Sequence, residues 1–219
     1  MSIPRTIIIA GEFADWTIEG LAEFAPLAEK AGIATLVLPD AIAPAAGGEA
    51  WPDALILIGW LAAGTTRLHL LARVSSLGHQ PYNLARRLAS LELISRGRTG
   101  WVIDADESAD AYAAFSGEAR LAGADMTARQ REFEDVVDGL LQSWDADALT
   151  LDRERAQFFR PDAMHPLDHE GDYFTVRGPL NVMRSPRGKP EVLRAGDLAR
   201  ATTVTSLQAA RALIEGLGR

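Results

Sequence analysis

Acidic side chains follow the ends of short apolar runs at several places in the chain. Glu12 comes after the run 6–10, Asp40 after 34–38, Asp104 and Asp106 close the run 100–104, and Asp197 follows 191–195 through Gly196. Ser75, Ser76 and His79 trail the run 68–74 in the same way. Carboxylates gathered at one rim could hold a hard divalent cation, which takes oxygen ligands. The plainer reading, and the heavier one, is that each acid caps the helix after it, favourable by about 0.3–1 kcal/mol. The stretch 192–201, VLRAGDLARA, reads as a strand, a glycine turn and a helix start. That layout turns backbone N–H groups toward an anion and suits phosphate. Here Asp197 puts a carboxylate where a phosphate site wants a hydroxyl.

The four histidines add little. His165 and His169 have a zinc-compatible spacing, but Pro166 and Gly171 disfavour the helix that would align the two rings. His69, inside an apolar run, is expected to be a packed core residue. His79 is better placed, yet has no evident acid partner in the sequence. With no cysteine, thiolate metal sites, thiol nucleophiles and disulfides are excluded. No phosphate-binding loop, nucleophile elbow or dinucleotide fingerprint occurs.

These side chains need elements to hold them. Runs of β-type residues at 6–10, 34–38, 68–74 and 100–104 alternate with helical patterns, such as Ile18, Leu21, Ala25 and Ala28, or Leu84, Leu88 and Leu91. That alternation predicts βαβ units and a parallel sheet, whose sites lie at the carboxyl ends of the strands. The segment 52–64 is apolar nearly all round, which predicts burial on more than one side, often by a partner subunit. Thr127 and Gln130 suggest a capping box ahead of a stripe of Phe133, Val136, Val137, Leu140, Leu141 and Trp144. Residues 145–190, with five prolines, read as a long irregular excursion. A last unit follows at 202–217, with Ser206 as N-cap. A chain of 219 residues with 47% hydrophobic and 24% charged residues is read as one soluble domain over 1–219. A net charge of −8 argues against nucleic acid or an anionic membrane as partner. No apolar run is long enough to span a bilayer, and no signal-peptide pattern opens the chain, so a cytoplasmic location is expected.

Three stretches resemble the bacterial-luciferase-like flavin monooxygenases, in the branch with nitrilotriacetate, dibenzothiophene-sulfone and long-chain-alkane monooxygenases. They are QPYNLARRLASLELISRGRTGWVI (80–103), RQREFEDVVDGLLQSWDADAL (129–149) and HPLDHEGDYFTVRGPLNVMRSPRGKPEVLRAG (165–196). The last is the most specific, and AEKAGIATLVLPD (28–40) matches in outline. The resemblance implies a (β/α)8 TIM-barrel-like α/β fold, shortened here at the C-terminus into an incomplete barrel. It implies reduced FMN supplied by a separate flavin reductase, oxygen, a small-molecule substrate, and a homodimer formed through the helices after strands two and three.

Carried over residue by residue, Asp40 matches the acid near the flavin ring and Ser76 the hydroxyl residue after strand three. With Asp104 and Gly196 at the ends of strands four and five, these are the candidate cofactor-binding residues. No catalytic residue is assigned. Two positions depart from the pattern: Val102 stands at a flavin-contacting asparagine, and Gly196-Asp197-Leu198 stands at a hydroxyl-rich phosphate turn. The resemblance thus implies a monooxygenase, and the departures imply an alternative: a non-catalytic dimeric binding or scaffold protein with weakened or lost flavin binding. As for closure, either 202–217 supplies a rearranged final βα unit or the sheet stays open.

Overall fold

The structure, a computed structural model, describes residues 6–10, 15–40, 51–104 and 124–217. Four βα repeats come first: β1 (Thr6–Ile9), α1 (Ile18–Lys30), β2 (Thr35–Pro39), α2 (Ala54–Ala63), β3 (His69–Ser75), α3 (Pro81–Ser95), β4 (Thr99–Asp104) and α4 (Ala124–Leu141). Two small hairpins form the excursion, β5 (Leu149–Asp152) with β6 (Gln157–Phe159) and β7 (His169–Glu170) with β8 (Thr175–Val176). The chain then returns to the main sheet as β9 (Glu191–Arg194), β10 (Thr202–Val204) and α5 (Leu207–Leu217).

The main sheet has six strands in the order β10-β1-β2-β3-β4-β9, every pair parallel. A parallel strand buried on both faces is apolar along its whole length, which is why IIIA, TLVL and LHLLARV stand out in the sequence. Side chains alternate between the faces. Leu36, Leu38, Leu70, Ala72, Val74, Trp101 and Ile103 point to the helices and join the large core with Leu21, Phe24, Ile58, Leu88 and Phe133. On the other face Val37, Leu71 and Val102 form a smaller cluster with Ile8, Leu193 and Leu198. Among the described residues the five long helices pack on the first face, in the order α5-α1-α2-α3-α4. A sheet covered by helices on one face and by its own side chains on the other is a barrel wall. With six strands the barrel is incomplete, and among the described residues β9 and β10 each pair with a neighbour on one side only.

Both expectations for the tail are thus met together. Residues 202–217 supply a final βα unit, seated beside β1, and among the described residues the sheet still has two edges. Ser206 caps α5, accepting from Ala209 N–H at 3.2 Å. The capping box at Thr127 is not formed, because α4 begins at Ala124 and Thr127 lies within it. Gly100 is needed for close approach: a Cβ there would lie 2.7 Å from the Glu191 carbonyl oxygen and 3.1 Å from Leu71 Cγ. A side chain at 100 would push β9 from the sheet.

The helix start expected after Gly196 is replaced by a four-residue 3-10 turn, Ala195–Leu198. The reason is geometric. Arg194 pairs level with Ile103, whereas Thr202 pairs with Ile7, which is level through Leu36 and Leu70 with Thr99. The connector must therefore descend four residue levels, about 13 Å, while crossing from one sheet edge to the other. Seven residues coiled as an α-helix would rise only about 10 Å, less than the descent alone.

Candidate functional site

The carboxyl ends of β2, β3 and β4 lie side by side, with Pro39 level with Arg73 and Ser75 level with Asp104. Asp40 directly follows β2. Its side chain is 9% exposed, and Oδ2 lies 2.7 Å from Nε2 of His79, itself 11% exposed. Oδ1 accepts from the N–H of Ala54 at 3.2 Å, the first residue of α2. Asp53 caps the same helix, accepting from Leu55 and Ile56 N–H at 2.9 and 3.1 Å, and its other oxygen meets Arg87 at 2.8 Å. Two carboxylates thus stand at the N-terminus of α2, where the helix dipole favours negative charge.

Ser76, 1% exposed, follows β3. Nη1 of Arg129 donates to its carbonyl oxygen at 2.9 Å and to its Oγ at 3.2 Å. Arg129, 6% exposed, lies 4.8 Å from the centroid of the Phe174 ring. It reaches the rim because Phe133, one turn on and on the same face of α4, packs edge-on against Trp101 of β4 and Phe174 of the excursion. Glu132 ties the β7–β8 hairpin to α4, accepting from the N–H groups of Tyr173 and Phe174 and lying 3.0 Å from His169 Nε2. Burial alone would raise the pKa of Glu132, but the bonds from His169, Phe174 and Tyr173 outweigh it and hold the carboxyl below its usual range.

The four candidate residues fall at one end of the sheet, though not in one contact set. Ser76 is buried, Asp40 nearly so, and both are engaged. Asp104 closes β4 beside Ser75. Gly196 is exposed within the 3-10 turn, where a Cβ would meet nothing within 4 Å. Asp197 turns back on that turn, its Oδ2 accepting from the N–H of Arg194 at 2.8 Å. Val102, 1% exposed, packs with Val37 and Leu71 and offers no polar atom. Glu12 and Asp106 lie outside the described residues.

Among the described residues no group of three or more acids and histidines could hold a metal ion. His165 and His169 face different acids, Asp145 and Glu132. His69 is not a core residue: its side chain is 44% exposed at the start of β3, with Nδ1 3.6 Å from Glu191. The missing partner of His79 is Asp40, a contact between residues 39 positions apart that only strand register could reveal. Arg129 was also missed. The available signal was its spacing, since 129, 133, 136 and 140 share one helical face and an arginine there must be buried.

A family description, luciferase-like monooxygenase, matches residues 8–209, and the chain belongs to that family. The N-acetyl-S-(2-succino)cysteine monooxygenase of Bacillus subtilis (strain 168) is 35% identical over 189 residues, covering 84% of this chain and 42% of the relative. The crystal structure of a long-chain alkane monooxygenase superposes with a TM-score of 0.81 at 23% identity, over 91% of this chain and 53% of that one. A riboflavin lyase, solved with modified FMN and riboflavin, gives a TM-score of 0.77 at 29% identity, over 91% of this chain and 51% of that one. The chain therefore spans about half the length of these relatives or less.

Proposed function

We propose that the chain is a flavin-handling member of its family, taking reduced FMN from a separate reductase at the strand-end rim and oxidising a small organic substrate with oxygen. The observation that carries this reading is the largely buried Asp40–His79 pair, built at the strand ends that also hold the Ser76–Arg129 contact, where the resemblance places the flavin ring. Asp40 and Ser76 supply fixed polar groups, while His79 and Arg129 hold them in place. The modified FMN in the riboflavin lyase, a structural neighbour, supports the same cofactor class. When bound, reduced flavin supplies the electrons that activate oxygen, and the protein binds, orients and excludes water.

The phosphate end does not fit equally well. The Asp197 carboxylate already occupies the Arg194 N–H, and Val102 supplies no polar contact. These two residues favour a second reading, a non-catalytic relative with weakened flavin binding that serves as a dimeric binding or scaffold protein. An FMN titration of the purified protein, followed by flavin fluorescence, separates the two. Tight binding with reductase-dependent oxygen uptake supports the enzyme, and absence of binding supports the scaffold.

Under either reading we infer a homodimer through α2 and α3. Ile56 and Trp60 of α2 are 65% and 44% exposed, an apolar face of the sort that a partner subunit covers. Sedimentation as a clean monomer at tens of micromolar would remove this inference. Among the described residues no helix is long and apolar enough to cross a membrane, and a cytoplasmic setting belongs to the same proposal.

A further inference from the structure

At the opposite end of the strands, the end of α2 and the turn from α3 to β4 enclose a cleft of about 690 Å³. Arg67, His69, Arg96, Arg98 and Arg187 line it, and no carboxylate does. Such a concentration of positive charge is unexpected in a chain of net charge −8.

The arginines have different duties. Arg98 is fully used by the fold: Nε donates to Ser95 O, Nη1 to Leu68 O and Thr65 Oγ1, and Nη2 to Ala62 O and Thr65 O. It contributes charge to the cleft but no free donor. Arg67 lies 4.0 Å from Glu29 with its side chain 76% exposed. Glu29 is itself committed to the N–H groups of Thr66, Arg67 and Leu68 and the hydroxyl of Thr66. Arg96 and Arg187 are exposed, and neither is a member of any salt bridge among the described residues. The stem of Arg187 crosses Gly97, where a Cβ would lie 2.5 Å from Arg187 Cδ and φ is +82°. That glycine is what allows Arg187 to reach the cleft.

Glu29 beside Arg67, Glu191 beside His69 and the buried Glu92 that feels Arg187 offset part of this charge, but the exposed forks of Arg96 and Arg187 line the cleft without a salt-bridge partner among the described residues. Their planar donors match phosphate oxygens in pairs. A single carboxylate would engage one fork and leave the rest unpaired. The cleft falls within the size range of small-molecule sites. Ile94, 61% exposed, adds an apolar wall. We propose that this basal cleft binds an oligophosphate, its phosphates held by Arg67, Arg96 and Arg187 and any organic group resting on Ile94. The site is independent of flavin at the rim, because it lies at the other end of the sheet.

The test is calorimetric titration of the whole chain with ADP, pyrophosphate, inorganic monophosphate and acetate in low salt. ADP and pyrophosphate should bind at least about tenfold more tightly than the other two, and binding should weaken as salt is raised. A double variant, Arg96→Asn with Arg187→Gln, should lose about 10–100-fold in affinity. Asparagine is chosen because Arg96 has φ +59°, a conformation asparagine tolerates. Unchanged thermal melting of the variant shows that the loss is not unfolding, and Arg96→Asn alone replaces the pair if the melt moves. Arg153→Gln, on the β5–β6 turn, should change nothing. Tighter binding of ADP than of pyrophosphate assigns an organic group on Ile94, and equal affinities assign an inorganic oligophosphate. No heat with either at millimolar concentration, or binding indifferent to the variant, overturns the proposal.

Discussion

Replacing Asp197 by serine should strengthen FMN binding, and the size of the gain follows from one contact. In the wild type the Asp197 carboxylate accepts from Arg194 N–H at 2.8 Å, so the turn already contains its own anion. A phosphate arriving about 4 Å from that exposed carboxylate meets a repulsion of about 1 kcal/mol in water. It also forgoes a hydrogen bond to a charged group, which contributes about 1.5–3 kcal/mol. The sum, about 2.5–4 kcal/mol, corresponds to about two to three decades in Kd. Serine removes the charge, frees the N–H and restores a hydroxyl. Because residue 197 is exposed, the fold should tolerate the change. The assay is quenching of flavin fluorescence on titrating protein into FMN, with thermal melts of both proteins as a check. Submicromolar binding by the wild type, or equal affinity in the two proteins, would refute the account of the turn.

Other consequences can be checked by stability. Burial would raise the pKa of Glu29, but hydrogen bonds from Arg67, Leu68 and Thr66 hold it at about 2 against 4.5. The depressed value means stability that is present above pH 4.5 and lost as pH falls toward 2, up to about 3 kcal/mol. Glu29→Gln should therefore lower Tm by about 5–10 °C at pH 7 and by much less near pH 2.5. Glu92, 3% exposed, has the opposite sign: burial raises its pKa, only partly offset by Thr99 N–H and Arg187. Its ionisation costs stability as pH rises above 4.5, so Glu92→Gln should raise Tm at pH 8 and lose that advantage below pH 4.5. His79→Ala leaves the Asp40 carboxylate buried with Ala54 N–H as its remaining partner, and should cost about 1–3 kcal/mol in urea unfolding. An unchanged midpoint would show that water replaces the imidazole without loss.

The fold was legible because burial on both faces writes itself into composition. The runs at 6–10, 34–38, 68–74 and 100–104 became β1 to β4 with shifts of about one residue, and EVLR and TTV became β9 and β10. Asp40 and Ser76 could be placed because a strand end is a local property. Their partners could not, since His79 and Arg129 reach them only through sheet register and the packing of α4 on the sheet and the excursion. His69 misled for a related reason. An apolar run marks a strand, but whether its first residue is covered depends on β9, whose Glu191 is 122 positions away and leaves the ring half open.

The turn at Gly196 departs furthest from the helix start that its sequence predicts, and it shows how topology can alter a site without touching its glycine. A strand followed by glycine serves phosphate when a helix begins there, because the first N–H groups of the helix then point outward together. The connector 195–201 has no room for that helix, as it must carry the chain from the rim at Arg194 down to the base at Thr202. What remains is a single 3-10 turn, with Leu198 packed on the inner cluster of Val37, Leu71 and Val102. A short turn with one open N–H is best satisfied from within, and an aspartate three residues on does so at 2.8 Å. On this argument Asp197 is the consequence of the short connector rather than an isolated substitution. It follows that Asp197→Ser should recover only the part of the affinity that depends on charge and one donor. Lengthening the connector enough to seat a helix before Thr202, in the same serine background, should add a further gain. If the longer connector adds nothing, Asp197 alone governs the turn.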